Sequence, residues 1–171
     1  NNIVVSTVMS NYGFKQAIEK FNFDLIETPV GDKYVAEAMK KYDAALGGEQ
    51  SGHIIISDLL PVGDGLVTLI YVLKAMQHFG VALSDFKREN LYEYPQKLTN
   101  LELENKLNDE ELEYINQIAL DMSIKKDLDG RYLIRNSGTE PLLRVLVEAK
   151  SNEAMEEFSN ELITKINKYL N

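Results

Sequence analysis

The sequence predicts an α/β three-layer sandwich domain followed by a small α+β domain. Over residues 1–80 strand and helix patterns alternate with short connections, which is typical of helices on both faces of a largely parallel sheet. After Phe86 the order becomes strand, helix, strand, strand, helix, which fits a small α+β domain. The 171 residues suffice for two such domains, and we expect them at residues 1–86 and 87–171.

The first domain opens with a β-branched run over residues 3–8, which fits a buried strand. Apolar side chains then recur at helical spacing from Gly13. The rest of the pattern predicts, in order, a strand over residues 24–29, a helix from Asp32, a short strand over 44–46 continued over 53–57, and a helix from Leu66 to Gly80. This alternation is what crossover connections between parallel strands require.

The second domain opens with a linker over residues 91–103 that becomes an edge strand. A helix follows from Asn108, because an asparagine cap and three acidic residues favour a helix N-terminus there. Two strands, residues 131–135 and 142–149, are joined by the loop NSGTEP. Ser151 is then the expected cap of a last helix with an apolar stripe.

The composition argues against several classes of function. Eighteen basic and 27 acidic side chains give a net charge of −9, which disfavours a general binder of nucleic acid or anionic membranes. The absence of cysteine removes disulfides, thiolate nucleophiles and cysteine-ligated zinc, and fits a reducing, cytoplasmic location. No apolar run approaches the roughly 20 residues of a membrane helix. Because the chain begins with Asn1, we expect it to be part of a longer protein.

A glycine-rich segment, GGEQSGH at residues 47–53, is the first candidate site. Its glycines let a ligand approach the backbone closely, and Glu49, Ser51 and His53 add a carboxylate, a hydroxyl and an imidazole. This set suits the hydroxyls of a sugar. A turn whose polar side chains only face water is an equal alternative on composition alone. The position after a short strand favours a ligand site, because ligands bind at the carboxyl ends of such strands.

The second candidate site is the loop between the last two strands, within the segment RNSGTEPLLR. Ser137 and Thr139 offer hydroxyls, and Gly138 lets successive N–H groups converge on an anion. Arg135 and Arg144 flank the loop, and a guanidinium matches phosphate oxygens in pairs. Three of the chain's four arginines lie within fourteen residues here, which predicts a concentrated cationic site. A hairpin whose arginines pair with nearby acids is the alternative, and phosphate binding is favoured over it.

The segment GDG at residues 63–65 precedes a helix and is a weaker candidate. It fits an anion site at a helix N-terminus, but a helix cap by Asp64 is the favoured interpretation. It lacks the residues of a Walker A motif or a dinucleotide fingerprint. The sequence offers neither an activated nucleophile nor a carboxylate cluster for a divalent metal, so it supports binding before it supports a reaction.

Five segments together resemble the α-D-phosphohexomutase superfamily. In chain order they are TVMSN, VGDKYV, GGEQSGHII, GDGL and RNSGTEPLLRVLVE. GEQSGH and SGTEP mark the superfamily, and TVMSN and VGDKYV favour the member that acts on glucosamine phosphates over those that act on mannose or glucose phosphates. One departure is Asn136, where we expect proline in many relatives. By this comparison asparagine loosens the loop slightly without removing a phosphate ligand.

The resemblance implies the third and fourth of four domains, the fourth with a TATA-binding-protein-like fold. It assigns sugar binding to Glu49, Ser51 and His53. It assigns phosphate binding to Arg135, Ser137, Gly138, Thr139 and Arg144. The implied activity of the longer protein is an intramolecular phosphoryl transfer that interconverts glucosamine 6-phosphate and glucosamine 1-phosphate, through a phosphoserine and a bisphosphorylated sugar, for synthesis of UDP-N-acetylglucosamine and cell-wall precursors.

The resemblance also implies what lies outside the chain. The catalytic serine and the Mg²⁺-binding loop belong to the first two domains, so we expect neither catalytic nor metal-binding residues here and an inactive chain. Glucose or glucosamine 1,6-bisphosphate is the expected activator. The expected partners are a sugar phosphate and the missing N-terminal domains, without nucleic acid or membrane. The alternatives are a mutase of the same superfamily that acts on mannose or glucose phosphates, and a non-catalytic sugar-phosphate-binding module made of these two domains.

Overall fold

Two separate hydrophobic cores organise residues 2–170, which the computed structural model describes. The compact unit around the first core ends at Glu93, and the unit around the second core begins at Tyr94. The domain boundary expected between residues 86 and 87 stays a prediction.

The first unit alternates strands and helices as the sequence predicts. Its described elements are β1 (Ile3–Thr7), α1 (Tyr12–Lys20), β2 (Asp24–Thr28), α2 (Asp32–Tyr42), β3 (Leu46–Gly48), β4 (Ile54–Ile56), α3 (Gly65–Phe79) and α4 (Leu83–Asn90). The sheet has the order β2-β1-β3-β4. Strand β1 is parallel to β2 and β3, and β4 is antiparallel to β3. The segments that follow β1, β2 and β3 therefore leave the sheet at the same edge, where ligands bind in such sheets.

The sequence pattern does not predict α4. Six of its eight residues are polar or charged, and none of the eight is buried, so the apolar period that marks a helix is weak there. Among the described residues no single helix is long and apolar enough to cross a membrane. Only α3 and α4 taken together reach the required length and hydropathy, and they are bent by 77° at the break between them.

The second unit is an antiparallel sheet with two helices. Its described elements are β5 (Gln96–Glu102), α5 (Asp109–Lys125), β6 (Gly130–Asn136), β7 (Leu142–Ala149) and α6 (Asn152–Leu170). The strand order is β5-β7-β6, which confirms β5 as an edge strand. Leu143 and Val145 of β7 belong to the core that includes buried residues of both helices. Because side chains alternate along a strand, Arg144 lies on the opposite face of the sheet.

The helix starts in the second unit follow the predicted caps. The Asn108 side chain accepts from the backbone N–H of Glu111, and the Glu111 side chain accepts from the backbone N–H of Asn108, which is a complete capping box. The Ser151 hydroxyl accepts from the N–H of Ala154 at 3.2 Å. The predicted fold class, an α/β sandwich followed by an α+β unit, is confirmed.

Candidate functional site

The three residues predicted to bind sugar hydroxyls lie together in the turn after β3. The Ser51 hydroxyl donates to Glu49 Oε2 at 3.4 Å and lies 3.2 Å from His53 Nδ1. The turn is closed by backbone bonds from Glu49 N to His53 O and from Gly52 N to Glu49 O. Ser51 and His53 are exposed, whereas the Glu49 side chain is only 8% exposed. This arrangement, which we term the hydroxyl cluster (Glu49, Ser51 and His53), presents two exposed polar groups beside one nearly buried carboxylate.

A neighbouring loop holds the carboxylate of the hydroxyl cluster. The N–H of Gly31 donates to Glu49 Oε1 at 2.8 Å. Gly31 is the N-cap of α2 and has a φ of 135°, in a region that favours glycine. With Oε1 anchored, Oε2 faces the Ser51 hydroxyl and keeps further acceptor capacity for a ligand. The VGDKYV segment is the sequence signal for this contact, although the sequence alone does not reveal that Gly31 and Glu49 meet.

The GDG segment borders the hydroxyl cluster without adding a carboxylate to it. Asp64 is the N-cap of α3, and its Oδ1 accepts from the N–H of Val67 at 2.8 Å, which confirms the capping interpretation. A Cβ added to Gly63 would lie 3.5 Å from the Cβ of His53. The segment therefore lies against the imidazole residue, with its carboxylate used by the helix.

Arg135 and Arg144 face each other directly across β6 and β7. Burial lowers the pKa of Arg135, and the positive charge of Arg144 lowers the same pKa further. Like charges directly opposite each other in a sheet are unfavourable. The carboxylate of Glu140 lies 3.9 Å from Arg144 Nη2 and is largely exposed. It therefore neutralises the two arginine charges only in part. The register of the hairpin therefore creates a site where a bound anion would relieve repulsion.

The loop beside these arginines carries hydrogen-bond donors that lack acceptors. Within residues 2–170, the N–H groups of Gly138, Thr139 and Glu140 donate to no backbone carbonyl. Ser137 Oγ and Arg144 Nε are buried and have no partner there. Buried polar groups are nearly always paired in folded proteins, and successive free N–H groups form a nest that binds anions. These groups, together with Arg135, form what we term the anion loop (residues 135–144).

The third arginine of the cluster seen in the sequence is not part of the anion loop. Arg131 Nε donates to the carboxylate of Glu148, which is fully buried on β7. Arg131 lies four residues before Arg135, or about 13 Å along the strand. The expectation of one cationic site built from three arginines is therefore wrong for Arg131, because the strand register pairs it with a buried acid.

Contacts from outside the anion loop tie it down. The Asn136 side chain donates to the carbonyl of Leu107 at 2.8 Å and accepts from the N–H of Leu107 at 3.3 Å. Lys106 Nζ donates to the carbonyl of Gly138 at 2.7 Å. Asparagine at 136 thus tethers the loop instead of loosening it, contrary to the expectation from the resemblance. The sequence contains no local signal for Lys106, because its partner lies 32 residues away.

The described residues do not fit a Mg²⁺ site. No group of three or more histidine, aspartate and glutamate side chains within residues 2–170 is placed to hold a metal ion. The carboxylate of Asp64, within the GDG segment, is engaged as a helix cap. The sites that the chain does offer are therefore the hydroxyl cluster and the anion loop.

The two units match two consecutive domains of one family. Residues 1–94 match the family described as phosphoglucomutase/phosphomannomutase, alpha/beta/alpha domain III, and residues 98–165 match its C-terminal domain. The chain belongs to the phosphoglucomutase/phosphomannomutase family. This membership confirms the resemblance to the phosphohexomutases, and it agrees with the α/β and α+β architecture of the two units.

Curated relatives in the phosphoglucomutase/phosphomannomutase family are similar over nearly the whole chain. The phosphoglucosamine mutase of Bacillus subtilis is 43% identical over 160 residues, or 94% of this chain and 36% of the relative. That of Streptococcus agalactiae serotype Ia is 46% identical over 157 residues, or 91% of this chain and 35% of the relative. The chain thus spans about a third of the length of these relatives.

Solved structures show the same fold at lower sequence identity. Aspergillus fumigatus N-acetylphosphoglucosamine mutase in complex with GlcNAc-6P and magnesium aligns with a TM-score of 0.79 at 19% identity, covering 99% of this chain and 39% of that one. A variant of the same enzyme in complex with glucose 1,6-bisphosphate aligns with a TM-score of 0.77 at 20% identity, covering 98% and 38%. At this identity the likeness supports the fold shared within the phosphoglucomutase/phosphomannomutase family.

Proposed function

We propose that the chain supplies sugar and phosphate binding in a longer mutase that interconverts glucosamine 6-phosphate and glucosamine 1-phosphate. The observation that carries this proposal is the anion loop, in which two opposed arginines adjoin buried donors without partners. A phosphate accepts several hydrogen bonds and carries the charge that both arginines need. The relatives named phosphoglucosamine mutase favour glucosamine as the sugar.

The proposed roles follow from the chemistry of each residue. Arg135 and Arg144 bind phosphate oxygens, and the Ser137 hydroxyl and the N–H groups of Gly138 and Thr139 donate to the same anion. The hydroxyl cluster binds the sugar, with Glu49 Oε2 accepting from a ligand hydroxyl and Ser51 and His53 adding exposed polar contacts. These groups bind and orient the substrate, and the breaking and forming of phosphoryl bonds is assigned to residues outside the chain.

In the proposed reaction a phosphoserine donates its phosphoryl group to one sugar hydroxyl, which gives a bisphosphorylated sugar. The other phosphate of that sugar then rephosphorylates the serine. This chain contributes by fixing the phosphate that is not being transferred, because positioning supplies much of the catalysis in phosphoryl transfer. We assign the phosphoserine and Mg²⁺ to other parts of the longer protein, and glucose or glucosamine 1,6-bisphosphate to the role of activator.

An apolar face of α3 supports a partner in the rest of the longer protein. Leu66 is 75% exposed, and Leu69, Ile70 and Leu73 are each 53% exposed. These positions recur at helical spacing, so they form one stripe along the helix. Such a stripe normally faces a core. We propose that this α3 stripe (Leu66, Leu69, Ile70 and Leu73) packs against the preceding domains of the same polypeptide.

Phosphate binding is tested by titrating the chain with glucosamine 1-phosphate in a calorimeter. Arg144→Ala and Arg135→Ala should each weaken binding by about 1.5–3 kcal/mol, the range of a hydrogen bond to a charged group. Arg88→Ala is the matched control, because this exposed arginine of α4 pairs only with Asp85 among the described carboxylates. Unchanged affinity in both anion-loop variants, with an intact fold by circular dichroism, would contradict the proposed phosphate site. Competition of glucose 1-phosphate and mannose 1-phosphate with glucosamine 1-phosphate tests which sugar the chain prefers.

A further inference from the structure

We propose that Lys106 is a positioning residue for phosphate recognition. Its ammonium holds the peptide between Gly138 and Thr139 so that the Thr139 N–H points into the anion site. This inference rests on the proposed phosphate site and adds a residue that lies outside both loops seen in the sequence. It assigns Lys106 a role through the backbone, without a direct contact to the ligand.

The planarity of the peptide bond gives the contact its consequence. Lys106 Nζ lies 2.7 Å from the carbonyl oxygen of Gly138. In a trans peptide the C=O and the following N–H point in opposite directions, and the structure has no cis peptide among the described residues. The N–H of Thr139 therefore points away from the lysine. It donates to no backbone carbonyl within residues 2–170, so it is available to an anion.

The ammonium also strengthens the donor that it orients. A positive charge on the carbonyl oxygen polarises the peptide, and a polarised peptide has a more acidic N–H, because linked hydrogen bonds reinforce one another. Lys106 thus adds to the field of the anion loop without becoming a third cation against Arg135 and Arg144. That separation matters, because those two charges already oppose each other.

The segment that carries Lys106 is fixed at both ends against the anion loop. The N–H of Leu103 donates to the carbonyl of Pro141 at 2.9 Å. At the other end, Leu107 exchanges two hydrogen bonds with the Asn136 side chain. Residues 103–107 therefore run beside the loop with little freedom to shift, and Lys106 reaches the middle of the loop from this fixed support.

The partner of Lys106 is unusual for this chain. Most exposed lysines with a recorded contact pair with carboxylates, as Lys87 does with Glu93 at 2.8 Å. Within residues 2–170 no carboxylate lies within 4.0 Å of Lys106 Nζ, although the chain has 27 acidic residues. A carbonyl of the anion loop is the acceptor instead. A lysine that shapes the anion loop would make this contact with the loop backbone.

The experiment compares Lys106→Met with Lys106→Arg in the full chain, using glucosamine 1-phosphate as the probe. Methionine keeps the aliphatic stem and loses the donor, so affinity should fall about fivefold, the worth of one aligned hydrogen bond. Arginine keeps a charged donor and should restore affinity to within twofold. Lys168→Met, an exposed lysine near the end of α6, removes the same charge elsewhere and should bind as the wild type does.

A second readout separates positioning from general attraction. In an amide NMR titration, the Thr139 N–H resonance of the wild type should move downfield as ligand binds, and this shift should be lost in Lys106→Met. The fivefold difference should persist at 0.5 M salt, where attraction between exposed charges is largely screened.

The outcomes distinguish the inference from the function on which it rests. No binding by the wild type overturns both. Binding that depends on Arg144 but is the same in Lys106→Met overturns the positioning role alone. A difference between Lys106→Met and the wild type that disappears at high salt, or that Lys168→Met reproduces, also overturns it, because long-range charge then explains the effect.

Discussion

At the scale of single residues, the anion loop combines groups that are unfavourable until a ligand is present. Arg135 and Arg144 oppose each other across the hairpin, and burial adds to the cost of the Arg135 charge. Ser137 Oγ and Arg144 Nε are buried without partners in the described chain. Such strain at a binding site is offset when an anion accepts from these donors and neutralises the pair. The proposed phosphate site would therefore exchange stability of the free chain for affinity.

This exchange predicts opposite effects of one substitution on stability and binding. Arg135→Met removes one of two opposed charges and keeps most of the stem, so the phosphate-free chain should be more stable by about 0.2–1 kcal/mol. Urea unfolding followed by NMR signals of β7 in phosphate-free buffer measures this change. Arg88→Met removes an exposed charge from α4 instead. It should change the free energy of unfolding measured at β7 by less than Arg135→Met does. A clear loss of stability in Arg135→Met would contradict the account of opposed charges.

At the scale of elements, local sequence signals predicted the helix caps and strand bounds well, but they did not predict which residues pair across strands. The caps of α5 and α6 and the bounds of β7 follow from neighbouring residues, and the structure confirms them. In contrast, Arg131 pairs with an acid and Arg135 opposes another arginine, and this difference depends on the register that brings Glu148 opposite Arg131. Spacing within one strand carries no information about that register.

The hydroxyl cluster and the anion loop show the same limit. Their residues are adjacent in the sequence, so their chemistry could be anticipated from a short segment. The groups that hold them, Gly31 and Lys106, come from segments 18 and 32 residues away. No periodicity or motif joins such distant positions in a single sequence, and only the folded chain brings them together.

The joint between α5 and α6 predicts a dependence of stability on pH. Lys126, at the C-cap of α5, contacts Glu157 and Glu161 of α6 at 2.7 and 2.9 Å. Donating hydrogen bonds to these two carboxylates raises the pKa of Lys126 above 10.5, and accepting from Lys126 lowers the pKa of Glu161 below 4.5. The contribution of Glu161 is thus present above pH 4.5 and lost as the pH falls through its folded pKa. That of Lys126 is present below pH 10.5 and lost at higher pH.

We therefore expect Lys126→Met to be less stable than the wild type at pH 7, by a small amount because these groups are solvated. The difference in urea midpoint should narrow between pH 7 and pH 3, because Glu161 gains protons as the pH falls through its folded pKa. Lys168→Met serves as the control, because its lysine is exposed on α6. An equal difference at pH 7 and pH 3 would show that packing of the lysine stem, rather than the ion pairs, accounts for the loss.

At the scale of the whole molecule, the chain matches two domains of its family and spans about a third of the length of its curated relatives. The α3 stripe is an exposed apolar surface of the first unit that lies outside the two proposed binding loops. A stripe of four leucine and isoleucine side chains, each more than half exposed, is costly in water. Burial against the preceding domains would recover that free energy and would hold the binding loops to the part that carries the chemistry.

This role of the α3 stripe predicts the behaviour of the protein when it is assembled from two pieces. The chain alone should have no mutase activity, and mixing it with the preceding part, produced as a separate polypeptide, should yield a complex with activity. The double variant Leu69→Glu/Ile70→Glu should weaken complex formation at least tenfold in a sedimentation assay, because two carboxylates cannot be buried there unpaired. Its affinity for glucosamine 1-phosphate as an isolated chain should not change. Ile124→Glu, at a 71% exposed position of α5, should assemble normally. Normal assembly of the double variant would show that another surface joins the two parts, and the stripe would then need a different explanation.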